Sequence, residues 1–288
     1  MKIAASSYSF SQLIRKGEMT QFETIAKAKE MGFDAIEFVE PEQFADGKLE
    51  EYCESLRKEA EKQKIAVSNF TFGADFINGS NGDTKAEIAR VKRMIDAAEI
   101  AGAKSVRHDV LYSLERCRAF GFALPILAEA CREVSAYAAE KGIRTMVENH
   151  GFICQDSLRV EQLFHAVNHP NFGLLVDMGN FLCADENPAD AVSRVAPYAF
   201  YAHAKDFIVK SALDANPGRG FFQSRAGNYL RGTIVGQGNV PVRQCIRILK
   251  KAGYDGFIAI EFEGMENALD ALEIGLENLR SYIRAEEA

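Results

Sequence analysis

The sequence has no uninterrupted apolar run long enough to cross a bilayer, although 47% of its 288 residues are hydrophobic. Residues 1–18 also lack the apolar centre of a secretory signal peptide. These two absences predict a protein that is not attached to a membrane and that works in the cytoplasm. The composition is otherwise typical of a globular chain that can bury a large core.

Cysteine pairs of the C-x-x-C type are absent as well. The six cysteines are scattered at positions 53, 117, 131, 154, 183 and 245. This spacing argues against a disulfide framework and against a structural zinc site built from thiolates. We therefore expect reduced, partly buried thiols.

The chain has no excess of positive charge. Its 34 Lys and Arg residues stand against 41 Asp and Glu residues, so the formal net charge is −7. Because binding to a phosphate backbone requires a basic surface, we predict no nucleic-acid partner.

Two kinds of segment alternate along the chain. Runs rich in β-branched and aromatic residues alternate with longer runs in which apolar residues recur at three- and four-residue spacing. The strand-like runs are 2–9, 34–39, 65–71, 104–109, 144–149, 173–178, 199–205 and 257–263. This alternation predicts an α/β protein with a parallel sheet, and eight repeats are the number in a closed (β/α)8 TIM barrel.

Glycines mark the joints of this repeat. Gly32, Gly102, Gly142 and Gly253 each follow a helical run, where a left-handed cap residue is expected before the next strand. The repeated unit of helix, glycine and strand argues against two independent halves. We predict a single barrel domain over residues 1–288.

One connection is much longer than the others. Residues 207–240 separate the seventh strand from its helix, and this is far above the usual length of such a loop. Aromatic and polar side chains are concentrated in it: Phe221, Phe222, Tyr229, Arg219, Arg225, Asn228 and Arg231. They suit a lid over a polar ligand, with an oligomer contact or a loop folded over the barrel rim as the alternatives.

Four potential ligands stand at the ends of four consecutive strand-like runs: Glu148, Asp177, His203 and Glu261. A parallel barrel delivers the C-terminal ends of its strands to one face, so these side chains are expected to converge there. Carboxylates with one imidazole suit a single divalent cation, with Mn²⁺ as the first expectation and Mg²⁺, Co²⁺ and Zn²⁺ as alternatives. The alternative interpretation is unrelated rim charges and helix caps.

The phrases that contain these residues resemble a known family. VEN at Glu148, VDMGN at Asp177, HAKD at His203 and IEFEG at Glu261 are similar to the strand-end phrases of the sugar phosphate isomerase/epimerase family, a branch of the xylose isomerase-like barrels. The resemblance covers essentially the whole chain. Its relatives include ketose 3-epimerases, inosose dehydratases and, more distantly, apurinic-site endonucleases. An endonuclease would need a basic surface and more than the five histidines present here.

This resemblance implies a metal-dependent isomerase or epimerase of a keto-sugar or sugar phosphate. In the epimerase members, two glutamates bind the metal and exchange a proton with the carbon beside a carbonyl through a cis-enediolate; here they correspond to Glu148 and Glu261. The ketose 3-epimerases of the family have a histidine and an arginine where this sequence has Asn180 and Val209.

A second reaction is also consistent with the sequence. His150 lies two residues after Glu148, and alternation along a strand places both side chains on the same side. An imidazole is a suitable base near neutral pH. The phrase ENH also resembles relatives that carry out β-elimination, which makes a metal-dependent lyase the alternative, either inosose dehydratase-like or 3-keto-C-glycoside deglycosylase-like. The other interpretation of His150 is a side chain that only hydrogen-bonds a ligand or a sugar hydroxyl.

Further strand-end residues are candidates for contacts with the sugar. The predicted substrate contacts are Arg107, His108, Asn180, Lys205 and Arg225. Arg107 and His108 could instead pair with Asp109 in a rim network, and Glu37 and Asn69 are lesser candidates for hydroxyl contacts. The resemblance also implies a homo-oligomer, or a second subunit that completes the site. A non-catalytic sugar-binding module is the remaining alternative, and it predicts that no metal binds.

Overall fold

Eight parallel strands close into a barrel in the computed structural model, which describes residues 1–40 and 48–287. The first seven strands are β1 (Lys2–Ser6), β2 (Ala35–Val39), β3 (Ala66–Phe72), β4 (Ser105–His108), β5 (Arg144–Glu148), β6 (Phe172–Asp177) and β7 (Ala199–Ala204). Three short strands follow, β8 (Asp206–Lys210), β9 (Phe222–Gln223) and β10 (Tyr229–Thr233), and then the last barrel strand β11 (Phe257–Ile260). β1 pairs with both β2 and β11, so the barrel is closed and the predicted TIM barrel is confirmed.

Helices lie between the barrel strands. They are α1 (Ser11–Arg15), α2 (Gln21–Met31), α3 (Leu49–Gln63), α4 (Gly79–Gly82), α5 (Thr84–Ile100), α6 (Phe120–Glu140), α7 (Ser157–Val167), α8 (Pro188–Val195), α9 (Val242–Lys251) and α10 (Ala268–Glu287), with 3₁₀ helices at Ser7–Phe10, Asn180–Ala184 and Ala196–Tyr198. The four glycines predicted as cap residues all have positive φ. None of the helices in the described part of the chain is long and apolar enough to cross a membrane.

The first and last barrel strands are shorter than predicted. The predicted strand 2–9 ends at Ser6 because the backbone turns into a 3₁₀ helix, whose Ser9 hydroxyl donates to the Ile260 carbonyl and accepts from the Phe262 amide. The last strand ends at Ile260, although the Glu261 amide still donates to the Ala204 carbonyl at 3.1 Å. These contacts anchor the polar end of β11 in the barrel.

Small and aromatic residues fill the lower part of the barrel. Ala4, Ala35, Ala259, Met146 and Tyr201 are buried there in one cluster, separate from the larger core between strands and helices. All six cysteines are free, and five of them are buried, as predicted. These side chains pack the barrel interior below the C-terminal ends of the strands, where the Tyr201 hydroxyl also shares a hydrogen bond of 2.8 Å with Ser68.

The segment predicted as a long loop contains regular structure. Strands β8, β10 and β9 form a small antiparallel sheet, in which Tyr229 pairs with Lys210 and Thr233 pairs with Asp206. The pattern was missed because β9 has only two residues and because antiparallel pairing across a long turn has no local signal. We refer to residues 206–240 as the insertion.

Asp206 joins the two ends of the insertion. Its Oδ1 accepts from the amides of Phe207 and Val240, and its Oδ2 accepts from the amides of Gly236 and Gly238, each at 2.9 Å. A single carboxylate thus organises the turns at both ends of the insertion.

The variant Asp206→Ala is expected to lower the free energy of unfolding by roughly 2–4 kcal/mol, because four backbone donors lose their acceptor. Chemical denaturation of the variant and of wild type measures the difference. Asp214→Ala, at an exposed position of the same insertion, should change stability by less than about 0.5 kcal/mol. Equal unfolding midpoints for the two variants would contradict the stabilising role of Asp206 at the two ends of the insertion.

Candidate active site

The four predicted ligands meet at the C-terminal end of the barrel. One ligand atom from each of Glu148, Asp177, His203 and Glu261 lies within 4.8 Å of the others. The Nδ1 atom of His203 is 3.6 Å from Glu148 Oε1, 3.7 Å from Asp177 Oδ2 and 3.6 Å from Glu261 Oε2. The four side chains thus face one common point.

Two buried atoms at this point have no hydrogen-bond partner among the described residues, namely His203 Nδ1 and Asp177 Oδ2. The other oxygen of Asp177 accepts from the amides of Gly179 and Asn180 at 2.8 Å, so the turn after β6 holds the carboxylate in place. A buried polar atom without a partner is costly unless something binds it. Three carboxylates and one imidazole suit Mn²⁺, Mg²⁺ or Zn²⁺, so the donor set fits a divalent cation.

A buried carboxylate behind His203 orients its ring. His203 Nε2 lies 3.0 Å from Glu37 Oε1, and Glu37 is fully buried and also accepts from Asn69 at 3.0 Å. This contact assigns the ring proton to Nε2 and leaves the lone pair of Nδ1 for the common point. Burial alone would lower the pKa of His203, but Glu37 and Glu261 raise it. Glu37 was considered for sugar contacts, and the structure places it behind the histidine instead.

We expect Glu37→Gln to weaken the binding of Mn²⁺ by roughly 10–100-fold, because an amide holds the ring less firmly and donates less electron density to it. Isothermal titration of the metal-free protein with Mn²⁺ measures this change. Glu277→Gln, on the exposed face of α10, serves as the matched control. Unchanged affinity in Glu37→Gln would remove the orienting role.

Two buried cations compensate the negative charge of the cluster. Lys205 Nζ is 2.5 Å from Glu261 Oε2 and 3.2 Å from Asn180 Oδ1. Arg107 Nη2 is 2.6 Å from Glu148 Oε2. Burial favours the neutral forms of the two glutamates, but Arg107 lowers the pKa of Glu148, and Lys205 lowers that of Glu261.

A second polar group adjoins the cluster through Arg107. Arg107 donates to both oxygens of Asp109, at 2.9 and 3.0 Å, and Asp109 Oδ1 lies 2.8 Å from His150 Nδ1. Tyr112 donates its hydroxyl to Asp109 Oδ2 at 2.5 Å. The His150 side chain is 42% exposed, and with Nδ1 held by Asp109 its Nε2 is the nitrogen available to a ligand. Burial opposes protonation of His150, but the Asp109 charge raises its pKa.

The other predicted substrate contacts are distributed unevenly. Asn180 lies inside the cluster, where its amide donates to Glu148 Oε1 at 2.9 Å. His108 is fully buried on the other side of its strand from Arg107, stacked on Phe72, and burial lowers its pKa to about 4. Arg225 binds the Asp156 carboxylate at 2.9 Å, on the loop after β5, and not the cluster residues.

One acidic residue of the site was not singled out from the sequence. Glu263 Oε2 is 3.6 Å from Lys205 Nζ, and 25% of the side chain is exposed. Burial raises the pKa of Glu263, and burial together with the charge of Glu263 raises that of Tyr8. The E-x-E phrase was the available signal, because alternation along an extended chain returns position 263 to the side of position 261.

Residues 25–282 match the family model of the xylose isomerase-like TIM barrel. The chain belongs to this family. Among curated proteins, the chain is 26% identical over 164 residues to the inosose dehydratase of Clostridium botulinum (strain Alaska E43 / Type E3). The matched region covers 55% of this chain and 53% of the relative. The chain thus spans about half the length of the curated relatives it matches.

Solved structures of xylose isomerase-like barrels superimpose on nearly the whole chain. The IolI protein with a bound zinc atom has a TM-score of 0.74 and 19% identity, covering 99% of both chains. L-ribulose 3-epimerase has a TM-score of 0.73 and 14% identity, covering 99% of this chain and 95% of that one. A xylose isomerase-like barrel protein from Mycobacterium smegmatis in complex with magnesium has a TM-score of 0.72 and 20% identity, covering 100% of this chain and 98% of that one.

Proposed function

We propose that this xylose isomerase-like barrel is a divalent-metal-dependent enzyme that moves a proton at the carbon beside the carbonyl of a sugar or sugar phosphate. Isomerisation or epimerisation is the first form of this reaction. The observation that carries the proposal is the convergence of Glu148, Asp177, His203 and Glu261, with two of their buried atoms lacking a hydrogen-bond partner among the described residues. Magnesium and zinc in two structural neighbours support a metal site, and Mn²⁺ is our first choice here.

The metal and the side chains have separate tasks in this proposal. A divalent cation at the common point supplies a Lewis acid that polarises a carbonyl. Glu148 and Glu261 both face that point and serve as proton acceptor and donor for the substrate carbon. Lys205 holds Glu261 in position, while Arg107 and Asn180 hold Glu148, so neither carboxylate has to reorganise when the substrate binds.

A lyase is the second candidate, and one contact favours it. The pairing of His150 with Asp109 is the arrangement of a base and the carboxylate that orients it. In this form, His150 removes the proton beside the carbonyl, and a hydroxyl or another group leaves from the next carbon. The inosose dehydratase relatives support the same candidate.

Proton exchange in D₂O tests the proposal and separates the two candidates. The Mn²⁺-loaded protein is incubated with D-fructose, an inosose and a 3-keto-glucoside, and the products are recorded by NMR after removal of protein and metal. Deuterium beside the carbonyl with an intact skeleton supports the isomerase or epimerase, whereas loss of water or of the aglycone supports the lyase. No change with any compound, relative to chelator-treated protein, counts against the proposal and favours a non-catalytic binding module.

Three further expectations stay part of this proposal: a cytoplasmic location, a homo-oligomeric assembly and a small carbohydrate as the partner, with no nucleic acid. Sedimentation of the purified protein tests the assembly. The guanidinium of Arg225 in the insertion binds Asp156. If Arg225 also borders a neighbouring subunit, the insertion contributes to the oligomer interface.

A further inference from the structure

The carboxylate of Glu263 lies at the mouth of the site. Among the described residues, none donates a hydrogen bond to its carboxylate, and its nearest cation, Lys205 Nζ, is 3.6 Å away. Lys205 is held more closely by Glu261, at 2.5 Å. Glu263 also lies outside the group of four side chains that can share a cation. Its carboxylate is therefore neither a ligand of the common point nor a saturated ion pair.

The insertion fixes the place of Glu263. A Cβ atom on Gly232, in β10, would lie 2.8 Å from Glu263 Cγ and 2.8 Å from the carbonyl carbon and oxygen of the same residue. Only a residue without a side chain can pass so close to this backbone. The insertion thus supports Glu263 directly and links the long segment after β7 to the site.

An ionised carboxylate can only accept hydrogen bonds, and a largely buried one is costly when no donor reaches it. Since a quarter of the Glu263 side chain is exposed, water can supply donors to it, and a substrate that displaces this water from the barrel mouth has to replace them. Hydroxyl groups on neighbouring carbons of a sugar are donors of the right kind, whereas a phosphate or carboxylate group would be repelled.

We propose that Glu263 is a substrate-contacting residue that accepts hydrogen bonds from hydroxyl groups of the substrate and selects an uncharged polyhydroxylated segment there. This inference rests on the proposed function. It assigns a specificity role to a residue that neither binds the metal nor moves the proton.

The test combines variants of Glu263 with substrate analogues. The panel compound with the fastest deuterium exchange is compared with its singly deoxygenated analogues. For wild type, we expect one analogue to lose roughly 10–100-fold in kcat/KM, the range for a hydrogen bond to a charged group. Glu263→Ala should raise KM for the parent compound by a similar factor, change kcat much less, and no longer discriminate against that analogue.

Gly232→Ala provides a second variant, which keeps the carboxylate of Glu263 but displaces it. We expect its KM to rise toward that of Glu263→Ala, while Gly121→Ala, at a helical glycine with open space around it, behaves as wild type. Thermal unfolding of each variant shows that the barrel is intact.

Two results would overturn the inference. If wild type exchanges deuterium and Glu263→Ala keeps the wild-type KM or the same discrimination between analogues, the inference fails and the proposed function stands. If wild type neither exchanges deuterium into any panel compound nor eliminates water or an aglycone from one, the proposed function fails, and the inference fails with it.

Discussion

Replacement of Glu261 by glutamine is expected to lower turnover by about 10³-fold or more while the barrel stays folded. The amide keeps the shape of the side chain but removes the charge that faces His203 Nδ1 at 3.6 Å and Lys205 Nζ at 2.5 Å. Both the divalent-cation site and one of the two proton-transferring carboxylates are lost together. Initial rates of deuterium exchange, with metal content measured on the same samples, determine the effect.

The matched control for this variant is Glu277→Gln, because that residue is exposed on α10 and far along the chain from every strand end. It should exchange deuterium at the wild-type rate. Near-wild-type turnover in Glu261→Gln, with metal bound, would rule out the scheme of two glutamates.

The variant His150→Ala has the second largest expected effect, and its size depends on the reaction. If the protein is an eliminating enzyme, loss of a base held by Asp109 should lower the rate by roughly 10²–10⁴-fold. If it is an epimerase, Glu148 and Glu261 remain, and appreciable exchange should persist. The measurement is the rate of deuterium incorporation and of product formation by the same NMR assay.

His165→Ala controls for the removal of a histidine, since His165 is exposed on α7. If wild type leaves the carbon skeleton intact and His150→Ala loses most of the deuterium exchange, the result contradicts both candidates. The lyase predicts elimination, and the epimerase predicts that exchange persists without His150. In that case His150 would be assigned to holding the substrate.

The position of the four candidate metal ligands could be predicted because it follows from the topology of the barrel. In a closed parallel barrel the last residue of each strand lies on one face, so locating strand ends in the sequence was enough to bring Glu148 and Asp177 together with His203 and Glu261. Errors of a few residues at the ends of the first and last strands left this result unchanged.

The partners of the cluster residues could not be predicted, because each contact joins residues of different strands that are far apart in sequence. The pairing of Glu37 with His203 joins β2 to β7 across 166 positions of sequence, and that of Asp109 with His150 joins β4 to the end of β5. No local pattern encodes which buried acid meets which imidazole. His108, which we predicted as a substrate contact beside Arg107, has the opposite parity to Arg107 along β4, and the prediction did not use this signal.

Arg107 and Lys205 provide the acidic cluster with counter-charges that belong to the chain itself. Small zinc domains need their ion to fold, because nothing else holds their ligands together. Here the core and these two cations can assemble the barrel before any ion arrives. If the proposed divalent ion binds, we expect it to bind a barrel that is already folded. The supply of ions in the cell and the preference of the preformed site would then decide which metal is bound, and a change in that supply would exchange the ion without new synthesis of the protein.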